Sequence, residues 1–296
     1  MMNTKPMLLM LCSIPGAGKS VCAEKYSKDH KNTIIHSSDA LREELFGNVN
    51  DQNNNEALFT ELHRRIKVDL YAGKNVIYDA CNIHSKNRKA FLDSIKNVDC
   101  YKEAWIIATP YEICLRNNTM RERKVPNSVI ERMYRHWQTP WYFEGWDYIK
   151  VVNDYKGYNN ILKTYELNNY RQNNPHHTKS LGIHQMMTKE YVRSHGGDTI
   201  LMTAASYHDV GKPFCRFEDN DGISHYYNHE SVGAYDALSI YDLPIEVSAL
   251  INYHMSPIGW HNAKEPDKVM EKWRKIWGNS FYDKIVLLNK ADEAAR

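Results

Sequence analysis

The 296-residue sequence contains no apolar run approaching the ~18 residues that a membrane span requires. Its longest early run, Met7–Cys12, is closed by Pro15 and Gly16 and carries no signal-peptide cleavage pattern. It has no C-x-x-C pair: Cys12, Cys22, Cys81, Cys100, Cys114 and Cys215 stand apart, which excludes the usual thiolate zinc and dithiol redox patterns and fits reduced thiols in a cytoplasm. It lacks an excess of either charge, 38 Lys+Arg against 36 Asp+Glu, so nothing in the composition suggests a protein that coats long nucleic acids. Internal repeats are absent as well. At this length, two domains are expected.

The near-neutral total conceals an asymmetry. Residues 1–170 carry 24 Lys+Arg and 20 Asp+Glu, whereas residues 171–296 carry 14 and 16 and also nine of the 14 histidines. The elements divide at about the same place. Met7–Cys12, Thr33–His36, Asn75–Tyr78 and Ala104–Ala108 read as short buried strands. Between them, 19–28, 56–72, 85–95 and 112–123 read as helices, an alternation that predicts a parallel sheet with helices on both faces. After Val152 the strand signals fade. A linker is expected over 153–172, followed by an all-α domain over 173–296 with helices near 180–195, 199–208, 229–238, 245–254, 268–277 and 283–295.

Residues 13–20 read Ser-Ile-Pro-Gly-Ala-Gly-Lys-Ser, a G-x-x-x-x-G-K-S/T phosphate loop except for Ser13 at the first position. The backbone amides of Gly16, Ala17 and Gly18 would wrap phosphate oxygens, with the following helix N-terminus adding partial positive charge. Lys19 would reach the β- and γ-phosphates and Ser20 would ligate Mg²⁺. Asp39 follows the second strand, where a carboxylate could accept a hydroxyl proton, and Arg42 lies one helical turn on, able to clamp a phosphate. Helix capping is the competing reading of Asp39. Asp79 ends the third strand where a metal-directed carboxylate would sit. Arg116, Arg121, Arg123 and Lys124 are expected on one helical stretch before Val125-Pro126, as a charge-neutralising lid.

On these residues, together with Asp79-Ala80-Cys81-Asn82 and Arg88, the segment 1–152 resembles the 5′-kinase module of phage-type polynucleotide kinases. The resemblance implies an α/β P-loop kinase domain using ATP or another NTP with Mg²⁺. It implies Asp39 as general base toward a 5′-hydroxyl, Arg42 as ligand of the acceptor's 3′-phosphate, and Arg121 as ligand of the donor phosphates, with Arg123 its rival. Zeta-toxin-like and small-metabolite kinases share the loop.

The histidines of the second half are spaced in a pattern. His184, His208-Asp209, His229, His254 and Asp292 each fall in or at the end of an expected helix. Imidazole with carboxylate suits a hydrolytic transition-metal site, and one Asp could bridge two ions that clamp a phosphoryl group. Lys212, one turn past Asp209, could steady charge or protonate a leaving oxygen. His177 and His225 could contact substrate, and His195 and His261 read as surface residues; His176 also has a weak claim. Around His208-Asp209-Val-Gly-Lys212, Asn228-His229-Glu230 and Lys-Ala-Asp292-Glu, the segment 173–296 resembles the HD-domain phosphohydrolases. That resemblance implies a first metal on His184, His208, Asp209 and Asp292 and a second completed by His229 and His254, drawn from Mn²⁺, Fe²⁺, Ni²⁺, Co²⁺ or Zn²⁺.

The two resemblances together imply a bifunctional enzyme of nucleic-acid end healing. Its partners would be RNA ends ahead of DNA ends, with a separate RNA ligase and no membrane. A metabolite or nucleoside kinase fused to a nucleotidase is the alternative, as is a kinase with a silent second module. The aromatic residues Trp137, Trp141, Tyr142, Phe143, Trp146 and Tyr148 could stack on bases, but core packing is the better-supported reading.

Overall fold

A computed structural model of the chain describes residues 5–157, 167–175 and 179–296. The chain divides into two compact units, the first comprising Met1–Val125 with Pro140–Val152 and the second Pro126–Thr139 with Asn153–Arg296.

The first unit is an α/β sandwich. Its strands are β1 (Met7–Cys12), β2 (Thr33–Ser37), β3 (Asn75–Asp79), β4 (Tyr101–Ile107) and β5 (Tyr148–Val152). All neighbours pair in parallel, in the order β2-β3-β1-β4-β5. The central strand β1 has no solvent-exposed side: Leu8 through Cys12 are all at 0% exposure, as a strand covered on both faces requires. Helices α1 (Lys19–Asp29), α2 (Ser38–Phe46), α3 (Asn55–Tyr71), α4 (Ser85–Ser94) and α5 (Tyr111–Thr119) make the connections. Helix α3 shows why the pattern was readable: Leu58, Leu62, Ile66 and Leu70 recur at helical spacing and all are buried. Because the chain leaves β1 in one direction and returns across it to β4, the carboxyl end of β1 is a topological switch point, where such sheets leave a crevice.

The second unit is helical, with α6 (Asn127–Arg135), α7 (Leu181–Ser194), α8 (Thr199–Tyr207), α9 (Lys212–Cys215), α10 (His229–Ser239), α11 (Ile245–Tyr253), α12 (Ser256–His261), α13 (Pro266–Trp277) and α14 (Asn279–Ala294). Every residue of α10 except Glu230 is buried, which makes it the axis around which this unit packs.

Four expectations change. The segment 126–139, read as part of the first domain, belongs to the second unit: Thr139 N donates to Asn252 Oδ1 at 2.9 Å, Tyr134 bonds Asp236, and Trp137 is wholly buried. The all-α expectation misses a short antiparallel hairpin, β6 (Phe217–Glu218) with β7 (Ser224–His225), whose strands are too brief for an alternating pattern to register. The expected linker is anchored at its end: Gln172 is only 1% exposed, and Arg171 bridges to Ser180. The last helix starts at Asn279 rather than 283, capped by Gly278. Among the described residues, no helix is long and apolar enough to cross a membrane.

Candidate active sites

In the first unit the loop from Ser13 to Ser20 leaves β1 and runs into α1. Gly16 and Gly18 both have positive φ, +83° and +95°. At Gly16 a side chain is excluded twice over, since a Cβ would stand 2.2 Å from the Cys114 carbonyl oxygen. Ser13 lies outside the positive-φ set, so its position does not need glycine; its Oγ donates to Ile107 O at 2.7 Å and ties the loop to β4. Thr109 Oγ1 donates to Ala17 O (2.9 Å) and Asn117 Nδ2 to Gly16 O (3.0 Å). With these carbonyls engaged from α5 and the turn before it, the loop is fixed on the side away from its amides.

Lys19 is 9% exposed and its Nζ donates to Ile14 O (2.8 Å) and Ser13 O (3.3 Å). Ser20 Oγ donates to Asp79 Oδ2 at 2.8 Å, uniting the hydroxyl and carboxylate expected to hold Mg²⁺. Burial raises the Asp79 pKa, against the opposing pull of Lys19. A hard oxygen pair beside a lysine at the head of a phosphate loop fits Mg²⁺ carried with a nucleotide.

Asp39 and Arg42 are brought together, Arg42 Nη1 donating to Asp39 Oδ1 at 3.1 Å. Arg42 is 5% exposed, and Asn55 Oδ1 accepts from its Nη2 at 3.0 Å. Arg123 reaches the same carboxylate through Asp39 Oδ2 and bonds Asn50 Oδ1 at 3.1 Å. Arg121 lies within electrostatic range of Asp79. Contrary to the expectation of one helical stretch, Arg121, Arg123 and Lys124 do not share a helix with Arg116; α5 stops at Thr119 and Arg121–Lys124 form a loop. The reason is Asn118, whose Nδ2 donates to Val125 O (2.7 Å) while its Oδ1 accepts from Val125 N (2.9 Å), pinching the loop shut. Arg88 is structural: fully buried, it pairs doubly with Glu144 at 2.8 and 2.6 Å and donates to Asn82 O. Trp146 donates to the same Glu144, and Trp137 and Trp146 are both buried, in line with the core reading preferred for these aromatics.

In the second unit five segments deliver the expected ligand set. His184 comes from the start of α7, His208 and Asp209 from the end of α8, His229 from the first residue of α10, His254 from the end of α11, and Asp292 from the last turns of α14. His184, His208, Asp209 and Asp292 form one group and Asp209, His229 and His254 another, within 4.8 Å in each; all are buried. Asp209 is shared. Its Oδ2 lies 3.3 Å from both His184 Nε2 and His208 Nε2, and its Oδ1 lies 3.1 Å from His229 Nε2.

The imidazole orientations test whether a metal fits. Nδ1 of His208, His229 and His254 faces a backbone carbonyl, of Ala205 (2.9 Å), Tyr226 (2.8 Å) and Ile251 (2.7 Å); His184 Nδ1 faces Ala295 O at 3.4 Å. A carbonyl only accepts, so each Nδ1 carries the hydrogen and each neutral ring turns its Nε2 lone pair inward. These lone pairs meet at 3.2 Å (His184–His208) and 3.4 Å (His229–His254), and Asp209 Oδ2 has no hydrogen bond of good geometry. Converging lone pairs repel unless a cation lies between them, so the donor set fits divalent metal.

Electrostatics agree with a site built to hold positive charge. Despite burial, His208 and Lys212 hold Asp209 well below the usual carboxylate range, and contacts to His184 and His208 do the same for Asp292. Against its burial, His208 is pushed up to about 10 by Asp209 and Asp292, so a metal ion bound at its Nε2 would displace a proton, whereas burial and the neighbouring His208 and His229 push His254 down to about 3.

Lys212 Nζ sits 2.6 Å from Asp209 Oδ2 and donates to Gln172 Oε1 at 2.8 Å. Gly211 explains how Asp209 comes so near His229: a Cβ there would stand 2.2 Å from His229 O and 2.7 Å from Gly233 N, so only glycine lets this segment press on the start of α10. His195 and His261 are exposed, and His225 is half-buried against Asp219. His176 and His177 lie outside the described residues. Asn55, Asn118, Gln172 and Gly211 were not singled out from sequence; only Gly211, inside His-Asp-Val-Gly-Lys, carried a signal that could have found it.

Residues 8–140 match the family model described as an AAA domain. The L-seryl-tRNA(Sec) kinase of Methanococcus maripaludis is 29% identical over 163 residues, 53% of this chain and 63% of that protein, so the chain spans less than two thirds of that relative. A solved Pnkp1/Rnl/Hen1 RNA repair complex contains a chain that is 20% identical, with a TM-score of 0.38 over 44% of this chain and 43% of that one. A fungal RNA kinase structure is 12% identical, with a TM-score of 0.37 over 51% and 38%. The first unit is an α/β unit in which a parallel five-stranded sheet carries a phosphate loop at the head of α1, and it is chiefly this unit that the AAA-domain match spans.

Proposed function

We propose that the chain is a bifunctional nucleic-acid end-healing enzyme. The first unit would phosphorylate 5′-hydroxyl ends, RNA ahead of DNA, from ATP or another NTP. The second, an HD-type phosphohydrolase, would remove 2′,3′-cyclic, 2′- or 3′-phosphate from the opposing end. The observation that carries this reading is that one chain holds both a phosphate loop with its Ser20–Asp79 pair and a separate cluster of four inward-facing imidazoles and two carboxylates.

In the kinase half, Lys19 exchanges its loop carbonyls for the β- and γ-phosphates, and Ser20 with Asp79 would hold Mg²⁺. Asp39 accepts the proton of the attacking hydroxyl, Arg42 clamps an acceptor phosphate, and Arg121 with Arg123 neutralises charge on the transferring group. In the hydrolase half, His184, His208, Asp209 and Asp292 would hold one transition-metal ion and Asp209, His229 and His254 a second. Such ions polarise a phosphoryl group and supply a water of lowered pKa. Lys212 holds Asp209 through its ion pair.

A second reading comes from the curated relative, whose name assigns it a seryl group carried on tRNA. The acceptor of this chain would then be a hydroxyl on an RNA-borne aminoacyl group. A labelled-phosphate assay comparing 5′-hydroxyl oligonucleotides, seryl-tRNA and free nucleosides separates the readings. Transfer to 5′ ends supports end healing, and transfer only to the other acceptors refutes it. For the second unit, phosphate release from 2′- and 3′-phosphate ends should vanish in His208→Ala; equal release would refute the assignment.

A further inference from the structure

Beside the imidazole–carboxylate cluster stands an aromatic strip that the chemistry above does not use. Phe217 and Tyr227 are 60% and 68% exposed, an unusual expense of apolar surface for two rings so near each other. His225 lies between them. Its ring is parallel to Tyr227, at 2° and 5.7 Å between centroids, and tilted by 37° against Phe217 at 6.5 Å. The three rings form a continuous strip on the hairpin and the residues just after it.

The strip is fixed in place. His225 Nε2 bonds Asp219 Oδ2 at 2.7 Å, which orients the central ring. Phe217 pairs with His225 across the hairpin, Ser224 N donates to Asn173 O at 3.0 Å, and Asn174 Nδ2 donates to Ser224 O at 2.8 Å. The strip is also coupled to the cluster by the shortest possible route. Tyr227 is two residues before His229, and the carbonyl of Tyr226 accepts from His229 Nδ1 at 2.8 Å. Two residues of chain span at most about 7 Å, so the backbone that carries Tyr227 lies within about a nucleotide's length of the backbone that carries His229. Rings held in place, two of them exposed and two of them parallel, suit the face of a planar aromatic ligand, and stacking of this kind is tolerant of base identity.

We propose that Phe217, His225 and Tyr227 form a base-stacking platform that holds the terminal nucleobase of the phosphoester hydrolysed at the neighbouring cluster. The inference rests on the hydrolase reading for its substrate, while its own content is nucleobase binding. It makes the second unit selective for phosphoesters that carry a base next to the phosphate, without selecting which base.

The test uses the full chain and an oligoribonucleotide with 2-aminopurine as its 3′-terminal base and a 3′-phosphate, beside 2-aminopurine riboside 3′-phosphate as the mononucleotide. Stacking quenches 2-aminopurine, so binding is read without turnover. Wild type should quench both probes. Phe217→Ala and Tyr227→Ala should raise the Kd by roughly 5- to 150-fold, and Tyr227→Phe, which keeps the ring, should restore it. Quenching of the oligonucleotide alone assigns the platform to polynucleotide ends, and quenching of both to any nucleoside phosphate. Absence of quenching in wild type, or equal Kd in the alanine variants, overturns the platform and leaves the strip a docking face for protein. Hydrolysis is followed in parallel on the oligonucleotide and on base-free β-glycerophosphate. If wild type hydrolyses neither while quenching depends on Phe217 and Tyr227, the hydrolase reading fails and the platform stands. If both are hydrolysed and the variants change neither KM nor Kd, the hydrolase stands and the platform falls. Both substituted residues are exposed, and circular dichroism checks that the variants are folded.

Discussion

Gly211→Ala tests whether the approach of Asp209 to His229 assembles the metal cluster. Gly211 has negative φ, so alanine brings no dihedral strain and the perturbation is collision alone. Its Cβ would meet His229 O at 2.2 Å, where ordinary contact begins at 3.4 Å. The 208–212 segment and the start of α10 must therefore separate by about 1 Å, at a cost of about 1–3 kcal/mol for overpacking a well-filled core. The functional cost is larger. Asp209 Oδ1 and His229 Nε2 are 3.1 Å apart as donors to a common point, and metal–ligand distances tolerate only about 0.2 Å. The group of Asp209, His229 and His254 should lose its ion, while His184, His208 and Asp292 keep theirs. Gly259→Ala is the control: nothing lies within 4 Å of its Cβ, and a helical glycine gains about 0.5–1 kcal/mol on becoming alanine. The assay is elemental analysis of the purified variants after metal loading, with urea unfolding for stability. One metal equivalent fewer in Gly211→Ala, and none lost in Gly259→Ala, is expected. Full metal content and wild-type stability in Gly211→Ala would refute the reasoning.

Four further outcomes follow from the geometry. Gly16→Ala combines positive φ with a 2.2 Å collision on Cys114 O, and should cost about 2–5 kcal/mol in urea unfolding and abolish binding of a fluorescent ATP analogue. Glu144→Gln leaves the buried Arg88 guanidinium without its charge partner and should cost about 3–5 kcal/mol, whereas an apolar replacement of both residues should recover much of it in a double-mutant cycle. Asn118→Ala frees the Arg121–Lys124 loop: kcat/KM for phosphoryl transfer should fall roughly 10- to 100-fold, with a stability loss of only about 1–3 kcal/mol. Since His254 serves one metal group and Asp209 both, His254→Ala should lose one equivalent of metal and Asp209→Ala both, as read by elemental analysis.

What was legible in the sequence shares one property: the information is local. The phosphate loop, the run of β1 and the spacing of Leu58, Leu62, Ile66 and Leu70 each lie within one element, and each is found where it was expected. The clustered histidines were legible because two of them are adjacent to other polar residues in short motifs, and the rest stood out against a helical background. What was not legible depends on distant partners. Arg88 stands in the sequence only among the residues that carry the kinase resemblance; its structural part depends on Glu144, 56 residues away. The end of α5 at Thr119 depends on one side chain imitating a strand partner for Val125. Gln172, in a segment polar enough to read as linker, is buried because Lys212 needs a second acceptor. The place of 126–139 in the second unit rests on contacts more than 100 residues apart in sequence, such as Thr139 with Asn252.

The two buried lysines show how the same residue type is set for different work. Lys19 is held by two neutral carbonyl oxygens, Ser13 O and Ile14 O, and hydrogen bonds of a charged donor to neutral acceptors contribute about 1.5–3 kcal/mol each. A nucleotide offers anionic oxygens in their place, so the exchange is favourable and the ammonium is available to a ligand. Lys212 is held by the Asp209 carboxylate at 2.6 Å as well as by Gln172, and breaking a buried ion pair costs about 3–5 kcal/mol. A leaving oxygen would have to displace that carboxylate to reach the ammonium. Sequence position alone suggested Lys212 as a donor to the leaving group. Its geometry favours a different task, holding the bridging Asp209 so that one oxygen serves each imidazole pair. On this view Lys212→Met should weaken metal retention before it changes the pH dependence of hydrolysis, whereas a proton donor would show the reverse order.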